Sequence, residues 1–328
     1  MEKYIYLKKQ GDDERVRSFR AVLFFLILVI GAIVLGAGQI VQDREAGENM
    51  GSPLEKIGIV EPGALVIKLA GGFQFTEGPA VDSEGNVFFT DQPSNRIYKW
   101  SVDNQLTVFH ENPQRANGLF FDKEGHLLAC ADLYNRLISI DPRGEITVLV
   151  DQYDHKRLNG PNDLWRDSNG GIYFTDPYYQ RDYWDHVEME QDDECVYYLT
   201  SDRKKLIRVA DGFNKPNGII GSPDGQLLYI ADIGANKTYV FRMGTEGQLL
   251  DKTLFAEEGS DGMTIDMEGN VYLTRRSVSV YHSSGKKLGT IEVPEQPANL
   301  CFGGKNRQTL FITARTSLYA IQMRVKGL

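Results

Sequence analysis

Glu77-Gly-Pro-Ala-Val-Asp-Ser-Glu-Gly85 reads as an apolar strand entered through a carboxylate and closed by a tight turn. The same phrase returns as Asn117 to Gly125 (NGLFFDKEG), Asn162 to Gly170 (NDLWRDSNG), Asn217 to Gly225 (NGIIGSPDG) and Asp261 to Gly269 (DGMTIDMEG), each time with a glycine eight residues after the polar anchor. A sixth copy starts at Asn299 without that glycine. Successive anchors lie 40, 45, 55, 44 and 38 residues apart. That is the period of propeller blades, each built from four short strands.

Blade one continues as NVFFTD, NRIYKWS and LTVFH, a meander of alternating or continuous apolar runs. Blades two and four repeat it with HLLACAD, RLISID and ITVLV, and with QLLYIAD, KTYVFRM and KTLFA. Blade three carries a long charged insertion around Tyr178 to Asp193, expected to form a loop over one face. Leu65 to Leu69 precedes the first anchor and has no blade of its own. It is expected to supply the outer strand of blade six, closing the ring and leaving fewer free edges.

If every phrase is the innermost strand of its blade, the constant offset holds all six anchors at one height beside the axis. Glu77 and Asp261 then face each other in a partly dry channel, where like charges repel unless a cation lies between them. An oxygen-only set of carboxylates and amides, without His or Cys, suits a hard divalent ion. Calcium fits best, with Mg2+, Mn2+ and Zn2+ as alternatives.

The Asp-x-x-Gly runs at Asp82, Asp122, Asp167 and Asp266 resemble the opening of a calcium-binding loop but lack its remaining ligands, so they read as hairpin turns. Asp91, Asp132, Asp176 and Asp232 recur at the end of the second strand, where a carboxylate bonding to turn amides is expected. Neither a G-x-S-x-G elbow nor an H-E-x-x-H helix is present. Of five histidines only His155 is placed to approach the mouth. Cys130, Cys195 and Cys301 sit in strand contexts or scattered positions that suit buried small side chains better than a disulfide or zinc framework.

Ala21 to Gly38 contains no charged or polar side chain, and Ile40 and Val41 extend it past Gln39. Eighteen such residues can span a bilayer. Lys3, Lys8, Lys9, Arg15, Arg17 and Arg20 precede the run, while Asp43, Glu45 and Glu48 follow it, so the N-terminus is expected in the cytoplasm. A cleavable signal ending near Gly36-Ala37-Gly38 is the competing reading. The expected organisation is all-β, a six-bladed β-propeller over residues 63–328 behind a cytoplasmic tail (1–20), a single transmembrane helix (21–41) and a linker (42–62). The chain would then be a single-pass membrane protein with its propeller outside the cytoplasm. From residue 45 on, 29 Lys and Arg stand against 40 Asp and Glu. So acidic a domain argues against a nucleic-acid partner. Oligomeric state is not legible.

TEGPA at Thr76, RLNGPND at Arg157, YFTDPYY at Tyr173, KPNGIIGSPDG at Lys215, SDGMTIDMEGNVY at Ser260 and NLCFGGKN at Asn299 together resemble the gluconolactonase, senescence marker protein and luciferin-regenerating enzyme family. The resemblance runs from about residue 64 to the C-terminus. It implies a six-bladed propeller hydrolase whose divalent metal is held by Glu77, Asn162, Asn217 and Asp261. It further implies metal-dependent hydrolysis of a lactone, a sugar-acid lactone or a relative of one, with Asp261 as the base and Glu77 as the second candidate for that role. Asn117 and Asn299 complete the ring and are candidates to hold substrate. Animal members carry an Arg where this chain has Gly160, and the bacterial gluconolactonase pattern fits better. A phosphotriesterase on the same ring, or a non-catalytic binding propeller, are the alternatives. The second would not need two carboxylates aimed into the channel.

Overall fold

The computed structural model describes residues 51–328. Six four-stranded antiparallel sheets follow one another along the chain. Their inner strands are Thr76–Val81, Ala116–Phe121, Leu164–Arg166, Pro216–Gly221, Met263–Ile265 and Pro297–Gly303. Each inner strand neighbours the next, and the sixth returns to the first, so the sheets close into a propeller.

Ile67–Gly71 supplies the missing outer strand of blade six, with Ile67 opposite Ala320 and Gly71 opposite Ser317. The closing strand lies two residues further along than Leu65 to Leu69. Leu69 and Ala70 are thereby laid against a core of Phe73, Phe89, Leu318 and Ala320 that joins the last blade to the first.

The hairpin readings hold in atomic detail. Asp82 Oδ1 accepts hydrogen bonds from the backbone N–H groups of Glu84 (3.0 Å) and Asn86 (2.9 Å), and Gly85 takes φ +93°. Asp122, Asp167 and Asp266 repeat that bonding, with Gly125, Gly170 and Gly269 left-handed in turn. A side chain at those glycines would be strained, which accounts for the constant offset. Asp91, Asp176 and Asp232 accept from N–H groups of the loop that leads into their own blade's inner strand. Asp132 departs from this pattern and binds the insertion of blade three instead.

Between blades, the close approach of sheets is filled by large rings over glycines. Trp165 of blade three occupies the space above Gly221 of blade four, where a Cβ would fall 2.2 Å from the indole. All three cysteines are buried and free. Burial pushes the thiols of Cys195 and Cys301 up to about 12, so they behave as small apolar side chains.

The stretch expected as a spacer up to residue 62 is, from Ser52 on, part of the packed body. Ser52 Oγ caps the single turn Pro53–Lys56 by accepting from Glu55 N at 3.2 Å. Leu54, Ile59 and Val60 are buried beside blades five and six, and Ile59 O accepts from Arg324 N at 2.9 Å. These apolar residues are too few and too widely spaced among Glu, Lys and Gly to read as an element from sequence. Among the described residues no helix is long and apolar enough to cross a membrane. The expected transmembrane helix at 21–41 lies outside the described residues.

Candidate active site

Four of the inner strands break register at their anchors: between Glu77 and Ala80, Ala116 and Leu119, Pro216 and Ile219, and Pro297 and Asn299. In blades three and five the paired strand starts only after Asn162 and Asp261. A bulge turns one residue out of the pleat, and here it lets polar side chains face the axis while the rest of the strand packs. All six anchors are buried or nearly so, and Glu77 is only 5% exposed.

The strands are stitched to one another around the ring. Gly118 N donates to Asn162 O at 2.9 Å and Gly262 N to Ala298 O at 2.8 Å. Second-strand threonines extend the stitching: Thr90 Oγ1 donates to Asn117 O, Thr175 Oγ1 to Asn217 O and Thr274 Oγ1 to Ala298 O. These threonines precede the recurrent strand-end position in blades one, three and five, a signal the sequence carried but that only the contacts interpret.

The structure brings together a third carboxylate, Asp163. In four other phrases the residue after the anchor is Gly78, Gly118, Gly218 or Gly262; in blade three it is Asp163. Its side chain uses the room that those glycines leave, since a Cβ on Gly118 would fall 2.6 Å from Asp163 Oδ1. Asp163 Oδ1 accepts from Leu164 N at 2.9 Å, and Oδ2 accepts from Asn299 Nδ2 at 3.4 Å. Blades three and six are opposite, so this bond crosses the axis and floors the site. Asn299 is therefore committed to Asp163 and, through Oδ1, to Leu300 N. Its amide lies beside Glu77 as well, whose ionised form it favours. Asp163 and Asn299 also line a mostly apolar cavity of about 210 Å3 with Leu119, Ile219, Met263 and Phe302.

Above the floor, Asn217 Nδ2 donates to Asp261 Oδ1 at 2.9 Å and lies 3.3 Å from the Tyr179 hydroxyl. Glu77 Oε2 accepts from Gly78 N at 2.9 Å. Asn117 Oδ1 is buried with no hydrogen-bond partner among the described residues, an orphan acceptor on an anchor of the ring. Burial, and then the charge of Asp261, raise the Glu77 carboxyl well above its ordinary value. Burial raises Asp261 to about 6, against the Asn217 amide and the charges of Arg275 and Arg315, which pull it down. Burial raises Asp163 to about 7. Three such carboxyls cannot all ionise side by side without a compensating charge.

The donor set therefore fits a divalent cation: buried carboxylates that need neutralising, set among the amides of Asn162 and Asn217. Among the described residues no three His, Cys, Asp or Glu side chains form a ready metal cluster. The ring instead interleaves its acids with amides, as oxygen-rich sites for hard cations do.

The blade-three insertion covers one side of the mouth. Asp132 takes hydrogen bonds from Gln92 Nε2 (3.1 Å), Arg181 Nε (2.9 Å) and the Tyr183 hydroxyl, while its carbonyl accepts from Trp184 Nε1 at 2.7 Å. Lys215 is paired with Glu194 and lies 5.6 Å from the Tyr179 ring centre. His155 sits at the tip of the small hairpin Gln152–Arg157, in a groove with Tyr134 and Tyr183, rather than among the ring residues.

Residues 75–316 match the model of the SMP-30/Gluconolactonase/LRE-like region. The chain belongs to this family. A gluconolactonase of Zymomonas mobilis is 28% identical over 94% of this chain and 98% of its own length. The solved structure of a gluconolactonase from Xanthomonas campestris is 28% identical and superposes with a TM-score of 0.77, covering 84% of this chain and 93% of that one. Another, described as a candidate gluconolactonase, is 32% identical with a TM-score of 0.78, covering 84% and 97%.

The raised carboxyls give a sign to the pH dependence. Each holds its proton more tightly folded than unfolded, so its contribution is fully present below the unfolded value of about 4 and is lost as pH rises through about 6 for Asp261 and about 7 for Asp163. Chelator-treated protein is expected to melt at lower temperature at pH 7.5 than at pH 5, and excess calcium to remove or reverse that difference. Melting curves at the two pH values, with and without the ion, decide it. A chelated protein that gains stability over this range, with no response to calcium, would contradict the ring's electrostatics.

Proposed function

We propose that the chain is a lactonase of the gluconolactonase type that opens a sugar-acid lactone or a close relative, with a divalent cation held by Glu77, Asn162, Asn217 and Asp261. The observation that carries this reading is the convergence of Glu77, Asp163 and Asp261 on one buried ring, in a chain whose full-length relative from Zymomonas mobilis is named a gluconolactonase. When bound, the cation supplies Lewis-acid polarisation of the lactone carbonyl; calcium suits the all-oxygen donors.

The chain's own groups account for the remaining chemistry. Asp261, steered by the Asn217 amide, accepts a proton from the attacking water as its oxygen bonds to the carbonyl carbon. The ring C–O bond then breaks, and the proton returns to the leaving oxygen, giving the hydroxy acid. Glu77 is the second carboxylate within reach of that proton. Asn117 Oδ1, with no hydrogen-bond partner among the described residues, would accept from a substrate hydroxyl. The Tyr179 ring and the rest of the insertion narrow the mouth and limit water on that side. Asp163 and Asn299 hold the floor.

A steady-state assay of aldonolactones, aromatic lactones and organophosphates tests the reading. Chelation, Glu77→Gln and Asp261→Asn are each expected to reduce kcat/KM for lactones on the order of a hundredfold or more. Lactone turnover surviving all three, or organophosphates turned over in preference, would sink it.

The apolar run Ala21 to Gly38 and the basic residues before it support a further part of the proposal, a propeller tethered outside the cytoplasm. Protease added to intact cells should digest the propeller, and full protection would overturn that orientation.

A further inference from the structure

The rim of the mouth is not the same all round. At the end of the second strand, blades one to four carry Asp91, Asp132, Asp176 and Asp232, each bonded within the protein. Blade five carries Arg275 at that position, and blade six carries Ala314 followed by Arg315. Backbone hydrogen bonds place both beside the ring. Asp261 N donates to the carbonyl of Thr274, the residue before Arg275, at 3.0 Å, and Thr76 N donates to Arg315 O at 2.8 Å, one residue from Glu77.

Neither guanidinium has a carboxylate partner among the described residues. Arg275 hydrogen-bonds to Ile233 O, at 3.4 Å, and Arg315 to the neutral Gln296 Oε1, at 2.8 Å, while lying 6.0 Å from the centre of the Phe75 ring. Around the insertion, by contrast, Arg157 is paired with Asp185, Arg181 with Asp132 and Arg208 with Asp192. In a chain of net charge −9, two arginines without acidic partners thus stand, by their backbone placement, beside a ring of acids. Both charges reach the ring, since they act on Asp261. On the opposite side, the insertion is internally neutralised through Arg181 with Asp132 and Lys215 with Glu194. Free positive charge therefore flanks the mouth at blades five and six, with Arg315 exposed and Arg275 half-buried.

We infer that Arg275 and Arg315 form an anion-binding rim, and that the preferred substrate is a lactone carrying a second, ionised oxo-acid group away from its ring carbonyl. This rests on the lactonase reading and adds the substrate's charge to it. Guanidinium groups recognise carboxylate or phosphate by paired hydrogen bonds, and the ring carbonyl and the remote anion would be fixed at the two ends of one small molecule. A neutral aldonolactone would occupy the ring without using the rim.

The test compares glucono-1,5-lactone with glucaro-1,4-lactone and 6-phosphoglucono-1,5-lactone, the last two separating carboxylate from phosphate. At least one charged lactone is expected to have kcat/KM on the order of tenfold above the neutral one. Arg275→Gln with Arg315→Gln is expected to bring that ratio close to one through KM, with Arg275→Lys recovering part of it. Equal preference, or equal losses on charged and neutral lactones accompanied by a shifted pH profile, would mean the arginines only tune Asp261, and would overturn the inference. Calorimetric binding of D-glucarate against neutral D-glucitol to the calcium-loaded full chain reads the rim without turnover. Selective glucarate binding, weakened in the double variant, supports the rim even if no lactone is opened, in which case the lactonase reading alone fails. Absence of such selectivity overturns the rim even if lactones are hydrolysed.

Discussion

Repulsion among three buried carboxylates, Glu77, Asp163 and Asp261, is the constraint on which the rest of this molecule depends. Bringing acids together out of water is costly, and a fold keeps such an arrangement only where something offsets it. Part of the offset is visible in the chain itself: the Gly78 and Leu164 amides, the Asn217 and Asn299 side chains and the charges of Arg275 and Arg315 all favour the ionised forms. What is left over is a demand for positive charge at the axis, which is also the demand that lactone chemistry makes of such a site.

The propeller supplies the geometry. Bulges at four anchors turn their side chains inward, glycines after the anchors let neighbouring strands approach, and second-strand threonines of blades one, three and five tie the next blade's inner strand. The Asp163–Asn299 bond across the axis then makes a floor, so the ring is a cup rather than an open pore. Its wall is asymmetric. On one side lies the blade-three insertion, clasped by Asp132; on the other stand two arginines without acidic partners.

Much of this was legible in the sequence, because a repeat reports symmetry. The recurring phrase and its eight-residue spacing located the blades and their turns and singled out six anchors, and the unassigned run at Leu65 to Leu69 pointed to the closing strand within two residues. What it could not do was tell anchors apart. Asn299 reads like Asn117, yet one is spent on Asp163 and the other is an orphan acceptor, a difference made by a contact 136 residues away. Asp163 was hidden as the second acid or amide of a pair in Asn162-Asp163. Only the four glycines at the equivalent position hinted that its side chain had somewhere to go. Arg275 was visible as the one charge reversal among five strand ends, but without contacts it could not be separated from an ordinary surface arginine. Residues 52–60 were missed because one short helical turn, pinned by Leu54 alone, has no periodicity to detect.

The central claim is that the ring exists to hold one divalent ion against its own carboxylates. Its most direct test is calorimetric titration of calcium into chelator-treated protein near pH 6.5, repeated in buffers of different ionisation enthalpy to count protons. The account predicts saturation at one ion per chain, with release of protons as raised carboxyls ionise, and loss of both in Glu77→Gln. Binding that releases no protons and is indifferent to Glu77, or no saturable binding of any divalent ion, would contradict it.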